Sequence, residues 1–146
     1  MPGSRILGVD YGRRRIGLAV SDELGLTAQG LPTIEATGRS RAVAAVADVA
    51  RAYSVSEIVV GLPLNMDGSH GELAEAATVF STQLAESTGI GTRCWDERLT
   101  SVTAHRVMRE TGTRLRGRKG KVDRIAATVL LDSYLRYLSH SDGPNV

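Results

Sequence analysis

Two short apolar runs open the chain, and the turn between them is too short for a crossover; this constrains the fold more than any other feature. Residues 5–11 read as a strand, with Ile6, Leu7 and Val9 apolar and Asp10 near its end. Residues 16–21 read as a second strand, with Ile16, Leu18 and Val20 alternating. Gly12-Arg13-Arg14-Arg15 lies between them. A parallel connection needs about a dozen residues or more, so the pair must be an antiparallel hairpin. Residues 27–34 suggest a third strand, and Pro32, which cannot donate to a ladder, assigns it to an edge.

Beyond this point helices and strands alternate. Residues 40–53 carry Val43, Val46, Ala50 and Tyr53 at helical spacing. Residues 57–62 form a continuous apolar run, as expected of a strand covered on both faces. A loop over 63–69 leads to a helix over 69–88, with Leu73, Ala77, Phe80 and Leu84 on one face, Ser69 as its cap and Gly89 as its stop. A fifth strand is expected over 91–97, and a helix over 100–111 with Thr100 at its N-cap. Residues 113–121 read as a basic loop. A last helix over 122–138, with Ile125, Val129, Leu130, Leu131, Tyr134 and Leu135, shows little polar face and should be largely buried.

The expected architecture is therefore one α/β domain over residues 1–138, a five-stranded mixed sheet whose first three strands are antiparallel, flanked by helices. Residues 139–146 read as a flexible tail. A chain of 146 residues can bury a core without disulfides, and Cys94 is its only cysteine. The N-terminus has no apolar leader and no run reaches membrane-spanning length, so the expectation is a cytoplasmic protein with no membrane partner. A monomer and a homodimer are both compatible with these features.

Net charge is only +2, but the basic residues are clustered. Nine lie between Arg93 and Lys121, among them Arg98, Arg114, Arg116, Arg118, Lys119 and Lys121, against three acids. Arg13, Arg14 and Arg15 form a second group. One such cluster reads as a solvated face; two, each beside a carboxylate motif, suit a polyanion such as nucleic acid. Aromatics make up 4% of the chain, too few for a broad base-stacking platform.

Three acids stand out. Asp10 ends an apolar strand, where a carboxylate is costly to bury unless paired or holding a metal; alternatively it forms a turn with the next amides. Asp96-Glu97-Arg98 ends the fifth strand. Neighbours on a strand face opposite ways, so only one acid can point at the Asp10 site, and the longer Glu97 is the better placed. An ordinary ion pair with Arg98 is the alternative. Asp123 falls in the first turn of the last helix, where the helix dipole alone would favour it. Asp132 is a fallback acid.

Together the three make sense as ligands. Phosphodiester hydrolysis needs charge stabilised on the phosphate and a water activated, and two Mg²⁺ or Mn²⁺ ions about 4 Å apart can do both. Such hard cations require converging carboxylates. His70, His105 and His140 are scattered and Cys94 is alone, so there is no zinc spacing. There is no phosphate loop ending in Gly-Lys-Ser/Thr and no nucleophile elbow. After the fourth strand, Asn65 and Ser69 could donate to phosphate, and Asp67-Gly68 is a turn pair.

Four segments carry a family resemblance. They are Gly8-Val9-Asp10-Tyr11-Gly12 with Arg15 to Ser21; Val60 to Ser69; Asp96-Glu97-Arg98-Leu99-Thr100-Ser101; and Lys119-Gly120-Lys121-Val122-Asp123 with Ala126-Ala127. In this order they resemble the YqgF/RuvX family of Holliday junction resolvase-like proteins and pre-16S rRNA nucleases. The resemblance spans nearly the whole chain. It implies an RNase H-like fold, an acidic site at Asp10, Glu97 and Asp123, and processing of the 5′ end of the 16S rRNA precursor, with pre-ribosomal particles as partners. Arg13-Arg14 makes this turn more basic than the family pattern. Branched DNA is the alternative substrate. A non-catalytic RNA-binding or transcription factor and a sugar-kinase-like phosphate loop are the other readings; the last needs two such domains.

Overall fold

The computed structural model describes residues 5–35, 38–97 and 119–141, with 119–123 and 141 as backbone only. Its elements are β1 (Ile6–Tyr11), β2 (Arg15–Ser21), β3 (Ala28–Glu35), α1 (Arg39–Ala52), β4 (Glu57–Leu62), α2 (Glu72–Thr88), β5 (Gly91–Asp96) and α3 (Lys119–Ser141). The five strands form one sheet in the order β3-β2-β1-β4-β5. β1–β2 and β2–β3 are antiparallel, whereas β1–β4 and β4–β5 are parallel. This is the expected mixed sheet, with β3 at an edge. The register slips between Ile16 and Leu18, whose partners are Ile34 and Leu31, so the extra β3 residue falls beside Pro32, where a ladder bond cannot form.

The sheet is covered on both faces. On one side α1 and α2 bury Leu7, Val9, Ile16, Leu18, Ile58 and Val60 against Val46, Ala50, Ala77, Phe80 and Leu84. On the other, α3 sets Ala127, Leu131, Tyr134 and Leu135 on Ile6, Ala19 and Val59. β4 thus lies between two layers, which explains its unbroken apolar run. The approach of α3 is close: a Cβ on Gly8 would fall 2.9 Å from Leu131 Cβ and 3.5 Å from the Ala127 carbonyl oxygen. No described helix is long and apolar enough to cross a membrane.

Several expectations are corrected. α2 begins at Glu72 with Gly71 as N-cap and no side-chain cap bond, so Ser69 does not cap it. Ser69 instead donates from its amide (2.9 Å) and its hydroxyl (2.6 Å) to Asp67 Oδ1. α3 begins at Lys119, which takes Lys119–Lys121 out of the basic loop and puts Asp123 at the helix's fifth residue. The dipole acts mainly within the first turn, so it no longer accounts for an acid there. α3 also runs to Ser141, through the first residues assigned to the tail. Nor is α3 largely buried: one stripe of Ala127, Leu130, Leu131, Tyr134 and Leu135 is, but Tyr137 is 45% exposed. A helix lying on a sheet covers only one of its own sides. The expected helix over 100–111 lies outside the described residues.

Candidate active site

The carboxyl ends of the parallel strands β1, β4 and β5 meet at one edge of the sheet, the place where α/β sheets gather ligands. Asp10 is the last but one residue of β1 and pairs with Gly17 of β2. Side chains alternate along a strand, and Gly8 lies under α3, so Asp10 faces the α3 side as well. On β4, Val59 packs under α3 and Gly61 has the same parity. On β5, Trp95 packs on the α3 cluster, so Glu97, just past the strand, is on that side and Asp96 on the other.

Glu97 lies flat across β4. A Cβ on Gly61 would fall 3.0 Å from Glu97 Cδ and 3.1 Å from both Cγ and Oε2. A side chain at position 61 would make Glu97 give way by a few tenths of an ångström, so glycine seats it where it lies. Burial pushes the Glu97 carboxyl up to about 7, and the negative charges of Asp10 and then Asp96 push it the same way. Strand parity and the glycine seat thus carry Glu97 towards Asp10, while Asp96 has the opposite parity.

α3 runs antiparallel to β1. Its Leu135 and Leu138 share a groove with Ile6, and Leu131 and Ala127 sit over Gly8. The N-terminal part of the helix thus points to the end of β1 that carries Asp10. Asp123 is in that part, one turn before Ala127; its side chain lies outside the described residues. Among the described residues no three metal-ligating side chains converge.

A model of the RuvX family, described as Holliday junction resolvase, matches residues 4–137. The chain belongs to the RuvX family. A relative in Myxococcus xanthus, provisionally named pre-16S rRNA nuclease, is 45% identical over 90% of this chain and 87% of its own length. One of the same name in Anaeromyxobacter dehalogenans is 46% identical, covering 90% of this chain and 96% of the relative. Among solved structures, T. thermophilus RuvC in complex with a Holliday junction aligns over 91% of this chain and 95% of its own at 15% identity, with a TM-score of 0.58. The fowlpox virus resolvase with Holliday junction DNA aligns over 92% and 98%, at 14% identity and a TM-score of 0.52. At such identities the likeness is one of fold, and it bears out the RNase H-like expectation.

Membership of RuvX places the chain among nucleases, and the donor set agrees. Asp10 and Glu97 offer hard carboxylate oxygens, and Glu97 is held towards its neutral form by burial and like charge. A divalent cation would relieve that repulsion and favour the ionised form. The two acids therefore fit Mg²⁺ or Mn²⁺ better than a softer metal.

The other residues singled out in the sequence are placed differently. Arg13 reaches Glu72 at 3.1 Å, an exposed pair that ties the β1–β2 turn to the start of α2. Arg14 is exposed on that turn and Arg15 pairs in register with Glu35. Asn65 is used within its own loop: its amide group donates to Ser69 Oγ at 3.0 Å and its backbone N–H to the Ser69 carbonyl at 2.9 Å. Gly68 closes that loop at φ 87°, as the Asp67-Gly68 pair suggested. Asp132 is paired with Arg136 at 2.9 Å, away from the site. Arg98, Arg114, Arg116 and Arg118 lie outside the described residues, as do the side chains of Lys119 and Lys121. The sequence reading missed Gly61 as the seat of Glu97. A glycine inside an aliphatic strand, which weakens it, was the available signal.

Proposed function

We propose that this RuvX-family chain is a divalent-metal-dependent endonuclease that processes the 5′ end of the 16S rRNA precursor in the cytoplasm, on or near pre-ribosomal particles. The observation that carries the reading is Glu97 lying across Gly61 towards Asp10, at the carboxyl ends of the parallel strands. Asp10, Glu97 and Asp123 would hold the metal, as one or two Mg²⁺ or Mn²⁺ ions. When bound, these supply charge stabilisation at the phosphate and a water that ionises near neutral pH.

The chain's own residues do the rest. The Asp10 backbone is held by its pairing with Gly17 and by the β1–β4 ladder that ends at Val9, which would limit where its carboxylate can lie before substrate arrives. Glu97 would hold the cation in its ionised form, so metal loading would depend on pH. Arg98 and the basic residues from Arg114 to Lys121 hold the flanking backbone. The RNA assignment is supported by the names of relatives at about 45% identity. Branched DNA is the second reading, favoured by the description of the family. Phosphate contacts alone do not separate the two.

The test sets precursor 16S leader RNA beside a four-way DNA junction, with Mg²⁺ or Mn²⁺. Cleavage of the RNA is expected, and Asp10→Asn should lower it by on the order of 1,000-fold without lowering thermal melting. Cleavage that persists in that variant removes Asp10 from the mechanism. Faster cleavage of the junction reassigns the substrate.

A further inference from the structure

Arg124 follows Asp123 in α3, and its side chain is laid over the sheet. A Cβ on Gly30 of β3 would fall 2.4 Å from Arg124 Cγ and 2.7 Å from its Cδ. The stem therefore runs directly on the β3 backbone, and position 30 accommodates no side chain while Arg124 holds this pose. Gly30 pairs with Ala19, and Ala19 with Gly8, two residues before Asp10. At about 4.8 Å per strand and about 3.3 Å per residue, Gly30 is about 12 Å from Asp10 on the same face of the sheet.

The chemistry at the end of that stem is incomplete. Arg124 Nε is buried and has no hydrogen-bond partner among the described residues. A guanidinium N–H shut away from water without an acceptor is destabilising, and native proteins leave few such groups. A methionine would fill the same space over Gly30 without that penalty. Arg124 as a residue is only half-buried, so the rest of its guanidinium can meet a ligand, and a planar fork of N–H donors matches a phosphate.

We propose that Arg124 is a substrate-binding residue whose guanidinium receives a backbone phosphate flanking the cleaved bond, with Gly30 as the seat that aims it. The inference deepens the nuclease reading and rests on it. It adds a cation on the β3 side of the acids, so the substrate strand would run over α3 and β3.

The test uses the full chain with a fluorescein-labelled 16S leader hairpin RNA. Binding is measured with Mg²⁺ in an Asp10→Asn background, with and without Arg124→Met. The expected result is affinity about tenfold weaker. The slope of log affinity against log salt should shrink by about one. Melting temperature should stay equal or rise, because the buried unpaired N–H is gone. Gly30→Ala keeps the charge but displaces the stem, and should weaken binding in the same direction. In the Asp10-containing protein, Arg124→Met should raise KM by more than it lowers kcat.

Affinity within twofold and an unchanged salt slope would overturn the proposal, as would a fall in melting temperature that accounts for the weaker binding. If the parent protein cleaves RNA but Arg124→Met binds normally, the inference fails alone. If the parent does not cleave yet Arg124→Met loses affinity and slope, the nuclease reading fails and the phosphate contact stands.

Discussion

The two faces of the sheet are built on different terms. Under α1 and α2 the core is large and apolar: Leu7, Val9, Ile58, Val60, Phe80 and Leu84 are all fully buried. Under α3 the sheet presents Gly8, Ala19, Gly30 and Gly61, and the space so released is taken by the Leu131 stem, by Arg124 and by Glu97. Polar handles belong to this second face. The Tyr134 hydroxyl donates to Glu57 Oε2, with Arg93 5.8 Å over its ring. Burial and Glu57 both raise its pKa. Among the described residues the first cluster holds seventeen buried apolar side chains and the second seven, so stability should reside mainly in the first. The lesson is that one face holds the fold together, while the other gives up side-chain volume so that charged groups can lie close to the backbone.

Three substitutions would break or sharpen this contrast. The largest effect on stability is expected from Leu84→Ala, which opens a cavity on the α1/α2 face and should cost about 2–5 kcal/mol in chemical denaturation. Activity per folded molecule should be retained; a proportionate loss of cleavage would mean that the two faces are not separable.

Glu97→Gln should act in the opposite sense. The folded state raises the Glu97 carboxyl from 4.5 to about 7, chiefly by burial. Between these values the folded protein holds a proton that the unfolded chain releases, so stability falls as pH rises through this window. The variant lacks that penalty. It should match the parent at pH 4 and exceed it at pH 8, by at most about 3 kcal/mol. Mg²⁺ added at pH 8 should narrow the gap by stabilising the parent more than the variant. A variant less stable than the parent at pH 8 without metal would contradict the crowding of acids at this site.

The smallest effect comes from Gly61→Ala. Its Cβ would meet three Glu97 atoms at 3.0–3.1 Å and shift that side chain by a few tenths of an ångström. Cleavage should drop by about tenfold while melting changes little, since positioning is more sensitive than packing. Unchanged cleavage would show that the seat of Glu97 is not demanding.

Much of this was legible in the chain before folding. The tight Gly12-Arg13-Arg14 turn dictated the hairpin, and Pro32 dictated the edge, because both follow from local geometry. The opposite facing of Asp96 and Glu97 was also accessible, since strand parity is a period-two property. Helix ends were less so. α3 starts three residues earlier than the apolar pattern suggests, because Lys119, Gly120 and Lys121 contribute nothing to that pattern and can still take helical geometry. Ser69 looked like a cap because its residue type favours one, but Asp67 lies two residues away and captures both its amide and its hydroxyl.

The sequence by itself determined the order of the described elements, the antiparallel start and the acids at strand ends, all of which rest on periodicity and turn chemistry within a few residues. Only the tertiary structure decided that Glu97 crosses Gly61 and that Arg124 crosses Gly30. These pairs are thirty-six and ninety-four residues apart. What joins each pair is the absence of a Cβ on one strand where a distant side chain must pass, and a missing atom has no periodicity to read.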